Sequence, residues 1–343
     1  MKAMVLDKPA PIETAPLVER EVPTPEPGVG EILVGVEVCG VCRTDLHVVE
    51  GDLPPHKQPI VPGHEIVGRV AKLGPGAQRF RVGDRVGAAW LHRTDGTCAY
   101  CRAEQENLCD NPRFTGYDDD GGYAEFTLAH EDFAYALPET LPAATLAPLL
   151  CAGIIGYRAL RRCEVKPGQR LGLYGFGASA HIVIQIALHW GCEVYVASRE
   201  ERHRALAKEM GATWVGEASE SPPHKLNSAI LFAPAGNLVP PVLEALDKGG
   251  TLAIAGIYLT QIPALDYDRH LFRERTLRSV TANTRADGRE LLRLAAEIPL
   301  QAHTQPFPLT QANEALRRLK HDEITGAAVL EVASPQQEPA APG

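Results

Sequence analysis

The eight cysteines of this 343-residue chain are the first residues whose type and spacing suggest chemistry. Three of them fall in one short segment, Cys98, Cys101 and Cys109. Thiols spaced so closely are typical of a metal site, and a disulfide set is not expected in a reducing cytosol. The remaining five are too dispersed for spacing alone to assign them a role; they are Cys39, Cys42, Cys151, Cys163 and Cys192.

A glycine-rich turn provides the second chemical signal. Gly175, Gly177 and Ala180 follow an apolar run, open a helical pattern and fit G-x-G-x-x-(G/A). The first Gly permits a tight turn, the second lets the backbone approach a pyrophosphate, and the third position must be small. The helix N-terminus then offers N–H donors to phosphate. We therefore predict a dinucleotide site, with a purely structural turn as the alternative.

The end of the next strand indicates which dinucleotide is bound. An NAD site usually carries an acidic residue about 20 residues further on, whereas an NADP site often has Arg nearby. Ser198 stands where the acid is expected, and Arg199 follows it. A small hydroxyl leaves room for a 2′-phosphate, which a guanidinium can bind with two hydrogen bonds. This favours NADP(H); NAD(H) stays open if Glu200 or Glu201 binds the ribose.

Elements of two kinds must position these groups. Up to about residue 145, short β-branched runs such as 31–38 and 65–70 alternate with Gly- and Pro-rich turns. That pattern predicts a β-rich, barrel-like domain. Apolar strands then alternate with helical patterns, which predicts a parallel, doubly wound α/β sheet. The predicted strands are 170–174, 193–197, 228–232 and 251–257, the predicted helices are 180–190, 200–210 and 239–247, and two later helices at 288–296 and 310–320 precede a strand at 327–332.

Bulk composition limits the possible partners. The chain is 45% hydrophobic and 22% charged, with a net charge of -9. A mildly acidic protein is a poor match for nucleic acid or an anionic membrane. Its apolar runs are shorter than the roughly 20 residues that a membrane-spanning helix needs. No signal-peptide pattern is found at the N-terminus, so we expect a cytoplasmic protein without nucleic-acid or membrane partners.

Three further motifs complete a pattern that extends over most of the chain. They are Cys39-Gly-Val-Cys42-Arg-Thr-Asp-Leu-His47, Pro62-Gly63-His64-Glu65 and Leu150-Cys151-Ala-Gly. Together with the cysteine cluster and the glycine turn, in this order, they resemble the zinc-containing alcohol dehydrogenases of the medium-chain dehydrogenase/reductase superfamily. The resemblance implies three segments: a GroES-like catalytic domain (1–145), a Rossmann dinucleotide-binding domain (146–285) and a return to the catalytic domain (286–333). The Pro-rich composition of the last residues, 334–343, predicts a disordered tail outside the resemblance.

The resemblance assigns the catalytic zinc to Cys42, His64 and Cys151. Two thiolates and an imidazole suit Zn²⁺ and leave a fourth coordination position for water or substrate. Cys39 is the alternative to Cys42, and the family alignment favours Cys42 because Arg-Thr-Asp follows it directly. Taken singly, His64 could be a core histidine and Cys151 a buried small residue.

Five further residues match family positions around the zinc and the cofactor. Glu65 corresponds to a carboxylate close to the metal, and Asp45 to the residue that orients the ligand imidazole. Thr44 corresponds to a hydroxyl that contacts the substrate oxygen, and His47 to the end of a proton relay. Arg43 corresponds to a pyrophosphate contact. A turn hydroxyl for Thr44 and a surface imidazole for His47 are the structural alternatives.

The cysteine cluster corresponds to a structural zinc site that usually has four Cys. Here Asp95 stands at the first position, ahead of Cys98, Cys101 and Cys109. Because Asp oxygen is an acceptable zinc ligand, we predict a second zinc held by one Asp and three Cys. The alternative is a segment that has lost its metal. Elsewhere, Ala327 replaces an Arg that many relatives place after the residue aligned with Gly326.

The resemblance implies reversible oxidation of an alcohol, with zinc as the Lewis acid and a nicotinamide as the hydride carrier. Trp90 and Leu53 correspond to substrate-pocket positions, which favours a primary aliphatic or aromatic alcohol or its aldehyde. Trp90 could equally be a core residue. The alternatives are a polyol or sugar dehydrogenase, a zinc-free quinone or enal reductase, and a binding protein without activity on the same fold. Relatives imply a homodimer or homotetramer.

Overall fold

The computed structural model describes residues 1–298 and 300–332, and the tail expected to be disordered, 334–343, lies outside them. The described residues form two compact units. One contains Met1–Cys151 together with the residues from His303 onward, and the other is Ala152–Ala302.

Both unit boundaries differ from those expected. The sequence placed the change after residue 145, and the structure places it after Cys151. The return was expected at residue 286, whereas the second unit continues to Ala302. The reason is that the helix beginning at Arg285 packs within the second unit, where Arg158 Nη1 donates to Asp287 Oδ2 at 2.6 Å.

The described residues form seventeen strands and ten α-helices, numbered in chain order. The strands are β1 (Lys2–Leu6), β2 (Leu17–Glu21), β3 (Glu31–Val41), β4 (Glu65–Leu73), β5 (Arg85–Ala88), β6 (Leu91–Arg93), β7 (Arg113–Phe114), β8 (Phe126–His130), β9 (Tyr135–Ala136), β10 (Arg170–Tyr174), β11 (Glu193–Ala197), β12 (Trp214–Gly216), β13 (Leu226–Leu231), β14 (Leu246–Ile254), β15 (Thr276–Ser279), β16 (Thr304–Pro308) and β17 (Ala327–Glu331). The helices are α1 (Arg43–Glu50), α2 (Ala99–Arg102), α3 (Ala143–Pro148), α4 (Ile154–Arg162), α5 (Ala178–His189), α6 (Glu201–Glu209), α7 (Val239–Ala245), α8 (Tyr267–His270), α9 (Arg285–Glu297) and α10 (Ala312–Lys320).

A seven-stranded sheet forms the core of the first unit, in the order β16-β17-β3-β4-β5-β9, with β8 also pairing with β3. All its pairings are antiparallel except β16 with β17. The long central strand β3 is buried at most positions, as expected for a β-branched run that packs on both sides. The register of β3 with β4 pairs Gly40 with Glu65, so the two strand ends that carry the metal motifs lie side by side.

The second unit is a six-stranded sheet in the order β12-β11-β10-β13-β14-β15. Every pairing is parallel. Numbered from its first strand, this is the 3-2-1-4-5-6 order of a doubly wound dinucleotide-binding fold. The expected fold class, a Rossmann domain and a β-rich domain, is therefore confirmed.

Most predicted elements are found with shifted ends. Residues 170–174 and 193–197 form strands as predicted. The helix expected over 239–247 ends at Ala245, because the chain turns to an extended conformation at Leu246 and begins β14 there. Residues 143–162, for which the sequence patterns gave no assignment, form two helices joined by a π-helical turn.

This stretch, Ala143–Arg162, is the one helical segment of the described residues that is long and apolar enough to cross a bilayer by length and composition. Its mean hydropathy is 1.5, and 61% of its most apolar window is buried within the fold. An apolar helix that is mostly buried within the fold is typical of the core of a globular protein.

Candidate active site

Four side chains of the first unit converge on one point: Cys42, His64, Glu65 and Cys151. One ligand atom from each lies within 4.8 Å of the others. The Sγ atom of Cys42 is 3.3 Å from Nε2 of His64 and 4.0 Å from Sγ of Cys151. The fold therefore brings together residues from separate sequence motifs that lie far apart in the chain.

Three separate parts of the fold supply these side chains. Cys42 is the N-cap of α1, directly after β3, and its Sγ accepts the N–H of Thr44 at 3.3 Å. His64 immediately precedes β4, which begins at Glu65. Cys151 lies in the π-helical turn Leu149–Gly153. Such turns widen a helix locally and are frequent at functional sites.

The donor set fits a tetrahedral zinc ion. Two sulfur ligands at 2.3 Å from such an ion lie about 3.8 Å apart, close to the observed separation of the two thiols. Nδ1 of His64 is 2.8 Å from Asp45 Oδ1, which leaves Nε2 facing the two sulfurs. Two thiols, one imidazole and a nearby carboxylate are the ligand types that zinc prefers.

The charges of the cluster favour a cation. The hydrogen bond between the two sulfurs lowers the pKa of Cys42 well below its usual range and raises that of Cys151. Burial raises the pKa of Glu65 well above its usual value. Burial opposes protonation of His64, yet the adjacent Asp45 and Cys42 raise its pKa. A bound divalent ion would offset the cost of burying the negative charge that the thiol and carboxyl groups of this cluster can carry.

Asp45 has two structural tasks. Its Oδ2 accepts the backbone N–H of Cys42 at 2.9 Å, which closes a capping box at the start of α1. Its Oδ1 holds Nδ1 of His64. The Tyr123 hydroxyl donates to Oδ2 at 3.2 Å. Burial raises the pKa of Tyr123 well above its usual value, so this hydroxyl stays protonated and acts as the donor.

Cys39, the alternative ligand, does not belong to the group of residues whose ligand atoms lie within 4.8 Å of one another. It is fully buried in the apolar core of the first unit, and its Sγ contacts the backbone oxygen of Gly40 at 3.5 Å. Burial raises the pKa of Cys39 well above its usual value. Its environment is that of a small core residue.

Thr44 and His47 lie on α1, which begins one residue after the ligand Cys42. His47 is partly exposed, and its Nδ1 is 2.7 Å from Oδ2 of Asp52. The Asp52 side chain is 62% exposed, so the hydrogen bond links the His47 imidazole to a carboxylate that contacts solvent. The sequence motif ended at His47 and missed Asp52, although Gly51-Asp52 directly follows α1 and is a local turn signal.

Trp90, one of the two predicted pocket residues, contacts a side chain of the metal cluster. The Trp90 ring stands edge-on to His64, with centroids 5.0 Å apart, and stacks on Phe114 at 4.9 Å. Leu53 packs at the margin of the first unit's apolar core, and its backbone N–H donates to the His47 carbonyl. The alternative prediction, that Trp90 is a core residue, is also partly met, because Trp90 packs against the apolar core of the first unit.

The second cluster also assembles. Asp95, Cys98, Cys101 and Cys109 each offer a ligand atom within 4.8 Å of the others. Asp95 Oδ1 accepts the N–H groups of Thr97 and Cys98 at 2.8 and 2.9 Å, and these bonds hold the pKa of Asp95 far below its usual range. An ionised Asp with three thiols is a donor set that zinc accepts.

The glycine turn sits where a dinucleotide fold places its phosphate site. Gly175 follows β10, and Gly177 is the N-cap of α5. Gly175 has a φ of +92°, which a residue with a Cβ rarely adopts, and a Cβ there would lie 2.8 Å from the Ala233 nitrogen. Ala180 is fully buried in α5, as its predicted packing role requires.

Ser198 and Arg199 follow β11. Ser198 is buried and Arg199 exposed, and the Arg204 guanidinium fixes this turn by donating to both their carbonyl oxygens, at 2.7 and 2.9 Å. Glu200, one alternative ribose ligand, accepts the Nε–H of Arg202 at 2.7 Å. That pairing lowers the pKa of Glu200.

Arg43, the predicted pyrophosphate contact, forms an exposed ion pair with Asp322. Both residues belong to the first unit. Ala327, at the position where many relatives have Arg, begins β17. The sequence analysis missed Asp322, since no local motif links it to α1.

A dinucleotide-binding fold and a two-Cys, one-His donor set within one chain define a metal-containing dehydrogenase. Comparison with known proteins agrees. Residues 28–139 match the alcohol dehydrogenase GroES-like domain, and residues 180–297 match the zinc-binding dehydrogenase domain.

Two relatives and one solved structure illustrate the match. A probable alcohol dehydrogenase of Mycobacterium tuberculosis is 54% identical, over 96% of this chain and 97% of that protein. An alcohol dehydrogenase of Geobacillus stearothermophilus is 34% identical, over 97% of this chain and 100% of that protein. The cobalt- and zinc-bound thermostable alcohol dehydrogenase of Pyrobaculum aerophilum superposes with a TM-score of 0.85 at 26% identity, covering 96% of this chain and 99% of that one.

The chain therefore belongs to the zinc-type alcohol dehydrogenases of the medium-chain dehydrogenase/reductase superfamily. It is an oxidoreductase with alcohol dehydrogenase activity, acting on small molecules with a nicotinamide cofactor.

Proposed function

We propose that this enzyme interconverts a primary aliphatic or aromatic alcohol and its aldehyde, with zinc at Cys42, His64 and Cys151 and with NADP(H) as preferred cofactor. The observation that carries the proposal is the cluster of these three side chains, backed by Asp45 on the outer imidazole nitrogen. When bound, zinc supplies Lewis acidity toward the substrate oxygen. The nicotinamide supplies the hydride chemistry.

The chain's own residues then handle the proton and the substrate. Thr44 contacts the substrate oxygen through its hydroxyl, and His47 receives the proton at Nε2, because its Nδ1 faces Asp52. The imidazole then gives up its Nδ1 proton to the Asp52 carboxylate, which is 62% exposed and releases the proton to water. Trp90 forms an apolar wall beside His64, which favours an alcohol with an aliphatic or aromatic group over a polyol.

The cofactor proposal rests on Ser198 and Arg199. A buried small hydroxyl and an exposed guanidinium at the end of β11 suit a 2′-phosphate. The pairing of Glu200 with Arg202 further supports NADP(H), because it engages an acid that could otherwise bind the ribose 2′-hydroxyl. In this scheme the pyrophosphate binds at the turn formed by Gly175 and Gly177, while the small Ala180 lets α5 pack closely on the sheet. Arg43 then exchanges Asp322 for a pyrophosphate oxygen.

Three further assignments complete the proposal. Asp95, Cys98, Cys101 and Cys109 hold a second, structural zinc. Glu65 lies close enough to the catalytic cluster to approach its metal. The enzyme works in the cytoplasm as a homodimer or homotetramer, and its net charge of -9 gives no basis for nucleic-acid or membrane partners.

A substrate panel with both cofactors tests the function. We expect turnover of primary alcohols or aldehydes that is lost with zinc removal and restored with zinc. Greater activity on sorbitol or glucose than on simple alcohols would instead indicate a polyol dehydrogenase.

For the cofactor, the wild type should have a lower KM for NADPH than for NADH. Arg199→Ala should raise the KM for NADPH by about tenfold or more, since a charged hydrogen bond is lost, and change the KM for NADH little. Arg293→Ala, at an exposed arginine of α9 that pairs with Glu297 and lies outside the proposed cofactor site, is the matched control. A wild-type preference for NADH would contradict the NADP(H) assignment.

A further inference from the structure

The hydrogen-bond chain behind His64 extends beyond Asp45 to Tyr123. Asp45 Oδ1 lies 2.8 Å from His64 Nδ1, and Oδ2 receives the Cys42 N–H at 2.9 Å and the Tyr123 hydroxyl at 3.2 Å. His64, Asp45 and Tyr123 are 1%, 2% and 0% exposed. One buried carboxylate thus connects a proposed ligand, the turn that carries a second ligand, and a tyrosine from a distant segment.

The backbone holds Tyr123 against the segment that carries His64. The N–H of Gly122 donates to the Gly63 carbonyl at 2.9 Å, and that of Tyr123 donates to the Pro62 carbonyl at 3.0 Å. On its other side, the Tyr123 carbonyl accepts the N–H of Met4 at 2.8 Å. Tyr123 is therefore fixed by backbone bonds independent of its hydroxyl.

The Tyr123 ring also accounts for Gly63, the residue before His64. Gly63 has a φ of +98°, and a Cβ there would lie 2.3 Å from Cδ1 of the ring. The ring therefore occupies the space that any other side chain would need. Tyr123 thus contacts both segments that carry proposed ligands: its ring packs at Gly63, before His64, and its hydroxyl donates to Asp45, behind Cys42.

We propose that Tyr123 is a positioning residue for the catalytic metal: its hydroxyl holds the Asp45 carboxylate in the orientation that aims the His64 imidazole at zinc. This rests on the proposed zinc site. Outer partners of a metal-bound imidazole set its orientation and basicity, and their loss typically costs about 10–100-fold in metal affinity.

The hydroxyl has this effect because a buried carboxylate needs its donors. Asp45 Oδ2 has two of them, the Cys42 N–H and the Tyr123 hydroxyl. Without the hydroxyl, one of the two donors to Oδ2 is lost, part of the buried charge is unsatisfied, and the carboxylate gains from turning toward other donors. Such a rotation weakens its bond to His64. The effect on zinc is therefore indirect and passes through Asp45.

The test compares Tyr123→Phe, which keeps the ring, with Tyr195→Phe. Tyr195 belongs to the second unit, where its hydroxyl contacts Glu193 at 2.8 Å. Zinc release from the purified full-length protein to a chromophoric chelator is followed over time. Cys42→Ser identifies the phase of release that belongs to the catalytic cluster. We expect Tyr123→Phe to release that zinc about tenfold faster, and Tyr195→Phe to match the wild type.

Two further measurements make the outcome decisive. In an Asp45→Asn background, Tyr123→Phe should change zinc release little, because the two residues act through one bond. A hydroxyl with only a structural role would lower the Tm of the zinc-depleted protein and leave the release rate unchanged, and that result would overturn the proposal. If Cys42→Ser keeps the full zinc content of the wild type, the zinc site of the proposed function is itself wrong.

Discussion

Asp45 shows how one short motif serves local folding and chemistry together. Its carboxylate caps α1 through the Cys42 N–H and also holds the outer nitrogen of His64. A helix N-terminus carries partial positive charge, which favours a thiolate at Cys42. The Cys-x-x-Asp spacing therefore sets the helix start and the ligand environment in the same turn.

At this scale, His47 gives a direct test of the relay. His47→Gln removes the titratable ring, so turnover should fall by roughly 10²-fold, as is typical when a general acid-base group is lost. Asp52→Asn should have a smaller effect, because the imidazole remains while its partner at Nδ1 loses its charge. Steady-state kinetics across pH measure both.

His56→Gln is a matched control, because His56 also pairs with an Asp but lies outside the proposed relay. An unchanged rate and pH profile for His47→Gln would remove His47 from the mechanism. A loss with His56→Gln equal to that with His47→Gln would point to a general effect of losing a surface imidazole pair.

Single residues were the part of the site most open to sequence reasoning. Cys42, His64 and Asp45 lie in short motifs, and the resemblance of those motifs to a known family assigned their roles. Tyr123 and Asp52 could not be assigned in the same way. Tyr123 reaches Asp45 from a segment distant in the chain. Asp52 contacts His47 only because α1 ends at Glu50 and the chain turns at the C-cap residue Gly51.

Among the elements, the segment from Asp95 to Cys109 depends most on its proposed metal. It contains the four-residue helix α2 and a short 3-10 turn, with little apolar core of its own. Asp95 begins it by accepting two backbone N–H groups. The same carboxylate thus has a turn-forming role and a proposed ligand role, which a substitution can separate.

Asp95→Asn separates them because an amide oxygen can still accept the N–H groups of Thr97 and Cys98 but is a much poorer zinc ligand. We expect zinc at this cluster to be held at least about tenfold more weakly, and Asp95→Cys to hold it more tightly than the wild type. Metal content after dialysis against graded chelator measures this.

The wild type should contain two zinc ions per chain in this experiment, one for each cluster. A wild-type content of one would refute the second site. If Asp95→Asn retained zinc as well as the wild type, Asp95 would be a turn former only, and the three cysteines would hold the ion without it.

Helices and strands differ in how well local sequence patterns predict them. Alternation of strand and helix patterns located β10, α5 and β11, because each has a clear period and a turn signal. The π-helical turn that carries Cys151 has no such signal. Its position between α3 and α4 depends on packing within the fold, not on local preference.

For the molecule as a whole, the dependence of stability on pH is set by buried groups with shifted pKa values. His92 in β6 is 4% exposed, and burial lowers its pKa although Asp119, 3.9 Å away, opposes the shift. Its folded pKa is therefore below the unfolded value of about 6.5. As pH falls through that value, the unfolded chain binds a proton first, so stability is lost toward acid.

We therefore expect the free energy of unfolding to fall more between about pH 8 and about pH 5.5 in the wild type than in His92→Gln. The contribution of His92 is limited to about 1.4 kcal/mol per pH unit, the most that one proton can supply. Urea unfolding of both proteins at the two pH values measures it. Equal pH dependence in the two would show that burial of His92 is not coupled to stability.

The sequence alone determined the two kinds of domain and the dinucleotide turn, because periodicity and turn chemistry are local properties. The residues expected around the metal followed from the resemblance of short motifs to a known family. Tertiary structure decided how those motifs meet. It placed Cys39 in the core rather than with the ligands, extended the second unit to Ala302, and brought Tyr123 to Asp45. These outcomes depend on strand register and burial between segments far apart in the chain, which no local pattern encodes.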